Sequence, residues 1–192
     1  MIYSEGGCSM NPIYVLLIAV AIIILVVVVW YISTSNKLNR AVVKIEESLS
    51  GIDVALTKRY DVLTKMIDVV KAYTKHEKET LFKVIELREN MSLKEKSEAN
   101  HVMDENLKQI NIVAENYPEL KSSENYVTLQ QSITDVEEHL QAARRLYNSN
   151  VSLFNQQLVS FPTSAVAKNK GMTKKEFFEI DEIKKNDVKI DL

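Results

Sequence analysis

Three histidines, His76, His101 and His139, are the first side chains to test for chemistry in this chain of 192 residues. His76-Glu77 begins like the HExxH helix of a zinc protease. Position 80 is Thr80, so the second imidazole that must follow one turn later is missing. After the N-terminal region no cysteine and no second histidine stands at ligand spacing, which leaves zinc unsupported. The glycines, Gly6, Gly7, Gly51 and Gly171, are too scattered for a phosphate-cradling loop, and no GxSxG nucleophile turn occurs. The carboxylate pairs Glu137-Glu138 and Asp181-Glu182 are adjacent in sequence, and adjacent side chains diverge on a helix. The expectation is therefore a protein with no catalytic residue, no metal and no cofactor, and so not an enzyme.

What remains are two polar constellations set among apolar residues. One is Asp53, Lys58, Arg59 and Asp61; the other is Arg144, Arg145, Asn148 and Asn155. Asn148 and Asn155 lie seven apart and so share one helix face. If the helices carrying the two groups run antiparallel from Leu38 to Phe161, counting inward brings Asp53 near Leu146. An interhelical ion pair between Asp53 and Arg144 or Arg145 is predicted, with the role of fixing register. Cys8 is the sole cysteine, which excludes an intramolecular disulfide and reads as an incidental free thiol.

The elements that must position these groups begin with Ile13–Ile32, an uncharged run of about the length that crosses a bilayer as a helix. A cleaved signal peptide fits poorly, because no Lys or Arg precedes the run and the run is too long. Trp30 and Tyr31 at one edge, with Tyr3 and Tyr14 at the other, suit the headgroup regions. Only Glu5 is charged before the run, whereas Lys37, Arg40 and Lys44 follow it. Basic residues stay on the cytoplasmic side, so the N-terminus is expected outside and the long C-terminal part inside.

Beyond the anchor, sparse Gly and Pro (4 and 3) imply long helices. Leu38, Val42, Ile45, Leu49, Ile52 and Leu56, continued by Tyr60, Leu63, Ile67 and Val70, form a heptad-like stripe. Leu81, Val84, Ile85 and Arg88 extend this helix or form a short one of their own. A second stripe is Met103, Leu107, Ile110, Ala114 and Tyr117. A third is Tyr126, Leu129, Ile133, Val136, Leu140, Ala143, Tyr147, Val151, Phe154, Leu158 and Phe161. Pro118 and Pro162 close the second and third stripes, Ser122 or Ser123 caps the third, and a softer break is expected across Asn90–Asn100. The fold class is all-α: one N-terminal transmembrane helix followed by an antiparallel bundle of three to four helices. The divisions are a flank at 1–12, the membrane helix at 13–32, the bundle at 33–166 and a charged tail at 167–192. The tail is either a short helix docking by its aromatics or a mobile arm.

Three blocks and the tail together resemble the bacterial LemA family. They are IDVALTKRYDVLTKMIDVVKAYTKHEKETL (Ile52–Leu81), INIVAENYPELKSSENYVTLQQSI (Ile110–Ile133), ARRLYNSNVSLFNQQLVSFP (Ala143–Pro162), and Gly171 followed by Phe177-Phe178-Glu179. The positions that match the family pattern include Asp53, Arg59, Tyr60, Asp61, Tyr73, His76, Glu77, Tyr117, Pro118, Leu120, Arg144, Arg145, Tyr147, Asn148, Asn155, Phe161 and Pro162. The chain departs from the pattern in two places. Val62-Leu63-Thr64-Lys65 lacks the usual proline, and Leu49-Ser50 replaces a common tryptophan. The resemblance implies a membrane helix followed by a helical bundle, and neither an established activity nor a cofactor.

The expected function is accordingly a membrane-anchored helical scaffold or protein-interaction module, in envelope organisation or signalling. The alternative is a small-molecule or stress sensor with a pocket between helices. Expected partners are the lipid bilayer, unidentified proteins and, through an exposed heptad seam, a second copy of the chain. The charge after the anchor is nearly balanced, which gives no footprint for nucleic acid.

Overall fold

A computed structural model describes residues 11–74, 82–84, 87–88 and 91–178. Five helices appear in order, with no strand among the described residues: α1 (Pro12–Tyr73), α2 (Leu93–Asn116), α3 (Pro118–Lys121), α4 (Glu124–Val159) and α5 (Thr163–Asn169). α1 is 62 residues long and unbroken, so it extends about 90 Å. Asn11 starts it by accepting a hydrogen bond from the Ile13 N–H, and Pro12 occupies a first-turn position where its missing N–H costs nothing. Its N-terminal stretch is long and apolar enough to cross a membrane, and its side chains are exposed among the described residues. The first stripe continues from that stretch without a joint, as the absence of Gly and Pro at Ser33–Asn36 predicts.

α1 and α4 form the antiparallel spine of the bundle. Asn150 donates to the Lys44 carbonyl (3.2 Å) and to Ser48 Oγ (3.2 Å), and Arg59 meets Glu137 (2.7 Å), so the two helices stay in step. The core divides in two along this spine. The anchor-proximal part joins Leu38, Ile45, Ile52 and Leu56 to Leu140, Tyr147, Val151 and Phe154, with Val166, Ala167 and Phe178. The distal part joins Leu63, Met66 and Val70 to Met103, Ile110, Val113, Leu120, Tyr126, Ile133 and Val136. Along the spine, then, α2 and α3 complete the distal core, while α5 and the tail complete the proximal one.

The caps follow the sequence. Ser92 and Glu95 form a reciprocal capping box at the start of α2, and this hydrogen bonding holds the Glu95 carboxyl below its ordinary range. Of the two candidate serines, Ser123 caps α4 by accepting from the Tyr126 N–H. Pro118 opens α3 at its first position.

Three expectations need correction. The break anticipated across Asn90–Asn100 ends at Ser92, because the capping box starts α2 there and Asn100 is buried inside the helix. α1 stops at Tyr73, and Val84 and Arg88 are not helical; Thr74 ends the helix by donating from both N–H and hydroxyl to the Val70 carbonyl. Leu81 and Ile85 lie outside the described residues. Phe161 does not close the third stripe: α4 ends at Val159, the chain turns through a cis Phe161–Pro162 bond, and the ring is 87% exposed.

Candidate functional site

Read at strict heptad spacing, the buried residues of α1 run Leu38, Ile45, Ile52, Arg59 and Met66. Arg59 thus occupies a core position between the two apolar parts and is 2% exposed. Burying a guanidinium without counter-charges would be prohibitive. Two other helices supply them. Nη1 donates to Asn100 Oδ1 (2.7 Å) from α2, and Nη2 donates to Asp104 Oδ1 (2.5 Å) from α2 and to Glu137 Oε1 (2.7 Å) from α4. One residue therefore ties α1, α2 and α4 together at the boundary between the two cores. Beside it, Lys96 of α2, itself buried, pairs with Asp53 (2.6 Å).

Asp53 is therefore not bonded as expected. The axial estimate was close: with Arg59 facing Glu137, six residues back on α1 lies level with Ala143 on α4, under one turn from Leu146. The direction around the helix was the error. Asp53 is turned 100° from the buried Ile52 and meets α2, not the arginine face of α4. Arg145 is exposed and donates from Nε to the Gln141 carbonyl of its own helix (3.4 Å). Arg144 lies over the ring of Phe178, 5.0 Å from its centre.

That ring belongs to the tail, and the tail is what the other α4 residues hold. Asn148 accepts from the Phe178 N–H (2.8 Å) and donates to the Phe178 carbonyl (3.1 Å). Asn155 does the same for Lys175, at 2.9 Å each way. The Tyr147 hydroxyl donates to the Glu176 carbonyl (3.0 Å). A carboxamide carries one donor and one acceptor in a plane, so it can stand in for the neighbouring strand of a β-ladder. The spacing suits this: seven helical residues rise about 10.5 Å and three extended residues span about 10 Å. The shared face of Asn148 and Asn155 is thus a backbone-reading ladder.

Phe178 supplies the anchor, 2% exposed in the proximal core, while Phe177 remains 48% exposed. Gly171 aims the chain into this course. Its φ of 65° closes α5, with the Gly171 N–H bonded to the Lys168 carbonyl and the Met172 N–H to the Ala167 carbonyl. Of the two readings of the tail, residues up to Phe178 take neither in full: they dock by an aromatic, but in extended form. Asn106 repeats the device. Buried on α2, it takes both the N–H and the carbonyl of Lys83, at 2.9 Å each.

Among the remaining positions that carry the resemblance, Tyr60 is half-buried against the distal core and Asp61 is exposed. His76 and Glu77 lie outside the described residues. Sequence reasoning left Asp104 and Asn106 unremarked, set Glu137 aside as half of a diverging pair and placed Asn100 only at the edge of a break. The signal that could have found them was Arg59 itself, a charge in a heptad core slot that must draw acceptors from the facing helices. An open cleft of about 750 Å³ lies between the start of α2 and the tail, lined among others by Leu93, His101, Glu176 and Phe177.

Two comparisons bear on what this arrangement is. The model of the LemA family matches residues 48–192. A protein named Protein LemA from Metamycoplasma hominis is 30% identical over 163 residues, covering 82% of this chain and 74% of that protein.

Proposed function

We propose, for a chain that belongs to the LemA family, that it is a membrane-anchored helical module whose task is to bind other proteins. The observation that carries this reading is the continuity of α1. From Ile32 to Tyr73 the helix is unbroken, so it holds the far end of the bundle about 60 Å from the end of the apolar run. A helix of this length, braced by α4, is suited to presenting surfaces at a fixed height above a bilayer. The polar clusters support the same reading. Arg59, Lys96, Asn148 and Asn155 are engaged in holding helices and tail together, which is a structural rather than a catalytic use.

Placement in a bacterial cell membrane with the N-terminus outside and the bundle in the cytoplasm is part of the proposal, supported by Lys37, Arg40 and Lys44 directly after the apolar run. Labelling of Cys8 with a membrane-impermeant thiol reagent is expected in intact cells. Labelling only after lysis would reverse the orientation.

The interaction role is tested by proximity cross-linking of the full-length protein in its own membrane. A defined set of proteins should be recovered, and flexible residues inserted after Ser33 should diminish their capture while leaving the bundle folded. Recovery that depends on the anchor alone would refute the module. A second reading, a small-molecule sensor, draws on the cleft between α2 and the tail: a ligand bound there would touch Glu176 and Phe177 and so bias tail docking.

A further inference from the structure

The near-neutral charge of the chain hides a strong segregation along the bundle. Residues 33–45 and 139–175 contain nine basic residues and no acidic one, whereas residues 46–138 contain nineteen acidic and twelve basic. Arg144 and Arg145 stand midway along the bundle, whereas folding brings Lys168 and Lys170 to the anchor end beside Lys37 and Arg40. Asn169 at the end of α5 donates to the Tyr31 hydroxyl (2.9 Å), one residue before the apolar run closes. Lys170 Nζ donates to Ser35 Oγ (2.8 Å) and Asn39 Oδ1 (2.7 Å) on one flank of α1. On the opposite flank, Lys37, Arg40 and Lys44 share one helix face and line a cleft of about 410 Å³ between α1 and α4, with Leu153. The result is a basic collar where α1 leaves the apolar run.

Phe161 lies at the height of this collar. From Asn150, which is level with Lys44 and Ser48, the nine residues to Val159 descend about 13 Å toward the anchor. That brings Val159, 64% exposed, and Phe161, 87% exposed, to the height of the first residues after the run. An aromatic ring turned out of a core stripe gains nothing from water, but it gains from a bilayer held beside it.

We infer that the collar is a docking surface for anionic phospholipid, with Phe161 as the apolar wedge and Lys37, Arg40, Lys168 and Lys170 facing the headgroups. The inference rests on α1 spanning the bilayer, because the anchor supplies the proximity. An amphipathic patch of this composition binds a membrane by burying its apolar tip while its cations meet headgroup phosphates.

The full chain carries one tryptophan, Trp30, which makes the test direct. Wild-type protein and the double variant Trp30→Phe/Phe161→Trp are reconstituted into phosphatidylcholine vesicles with and without phosphatidylglycerol, using chain-brominated lipid as the quencher. Trp30 should be quenched in both vesicles. The tryptophan at position 161 should be quenched strongly only with phosphatidylglycerol, and each cation removed by Lys168→Ala or Lys170→Ala should weaken that docking about fivefold at low salt. Circular dichroism on every variant confirms that the helices persist. Quenching at position 161 that is absent, or equal in both vesicles, while Trp30 is quenched overturns the docking surface and leaves the anchor standing. If Trp30 itself escapes quenching, the spanning reading falls and the docking inference falls with it.

Discussion

The anchor-proximal and distal halves of the bundle share α1 and α4 but close their cores differently. The distal half is completed by α2 and α3, whose apolar residues belong to the same core as those of the spine. The proximal half is completed by the short α5 and an extended tail, held by one buried ring and a ladder of side-chain amides. A helix satisfies its own backbone and offers only side chains. An extended segment has unsatisfied backbone groups, and the neighbouring helix must satisfy them. This is why asparagines mark the proximal face of α4, and why Asn106 appears on α2 where Lys83 needs the same service. By this comparison the tail is the wall expected to separate from the rest first.

Four perturbations sharpen that contrast. The largest effect on global stability is expected at the Arg59 boundary. Asp104→Ala with Glu137→Ala strands a buried guanidinium and should cost about 3 kcal/mol in chemical denaturation; this is the low end of the range for a broken buried pair, because both carboxylates are more than a third exposed. Arg59→Met should be close to neutral, since a volume-matched apolar residue suits a heptad slot. If Arg59→Met proves as damaging as the double alanine variant, the clamp contributes energy and not only register.

Phe178→Ala comes next. Removing a buried ring costs about 3 kcal/mol or more, but the loss should fall on tail docking. Hydrogen exchange should show lost protection at Lys175 and Phe178, with α2 and the distal part of α4 unchanged. Loss of protection throughout would mean that the two halves form one cooperative unit. Asn148→Ala or Asn155→Ala should weaken tail protection by about 1–3 kcal/mol each, from two hydrogen bonds apiece.

The smallest effect concerns pH. Burial pushes the Tyr147 hydroxyl up from its ordinary value near 10. The stabilisation is complete below that value and is lost as pH rises toward the higher value of the folded state, because the undocked phenol ionises first. Tail protection should therefore fall above about pH 10, and Tyr147→Phe should flatten the dependence.

How much of this was legible in the sequence follows the same division. Apolar periodicity placed Leu38 to Val70 and Tyr126 to Leu158 on packed faces, and capping chemistry placed Ser122 or Ser123 at the start of α4, because both signals are local; the Ser92–Glu95 box is equally local but was read as part of a break. The paired face of Asn148 and Asn155 was visible, but its ligand was not. The tail lies about twenty residues beyond Asn155, and nothing in its own pattern reveals an extended course. Asp53 shows the limit in another form. Counting along two helices fixes height to within a turn, but which neighbour a side chain meets depends on the third helix, whose azimuth the stripes leave undetermined. Phe161 followed the periodicity of the third stripe and broke with it, because α4 ends two residues earlier.

As proposed, the two halves face different partners, lipid at the anchor end and protein at the far end. Photo-cross-linking residues placed singly in the full-length protein in its own membrane address this most directly, at Phe161 in the proximal half and at exposed Ile112 and Val127 in the distal half. Phospholipid adducts are expected at position 161, and at positions 112 and 127 adducts to the same discrete protein. Protein adducts at 161, or distal probes that capture lipid alone, would contradict the proposal.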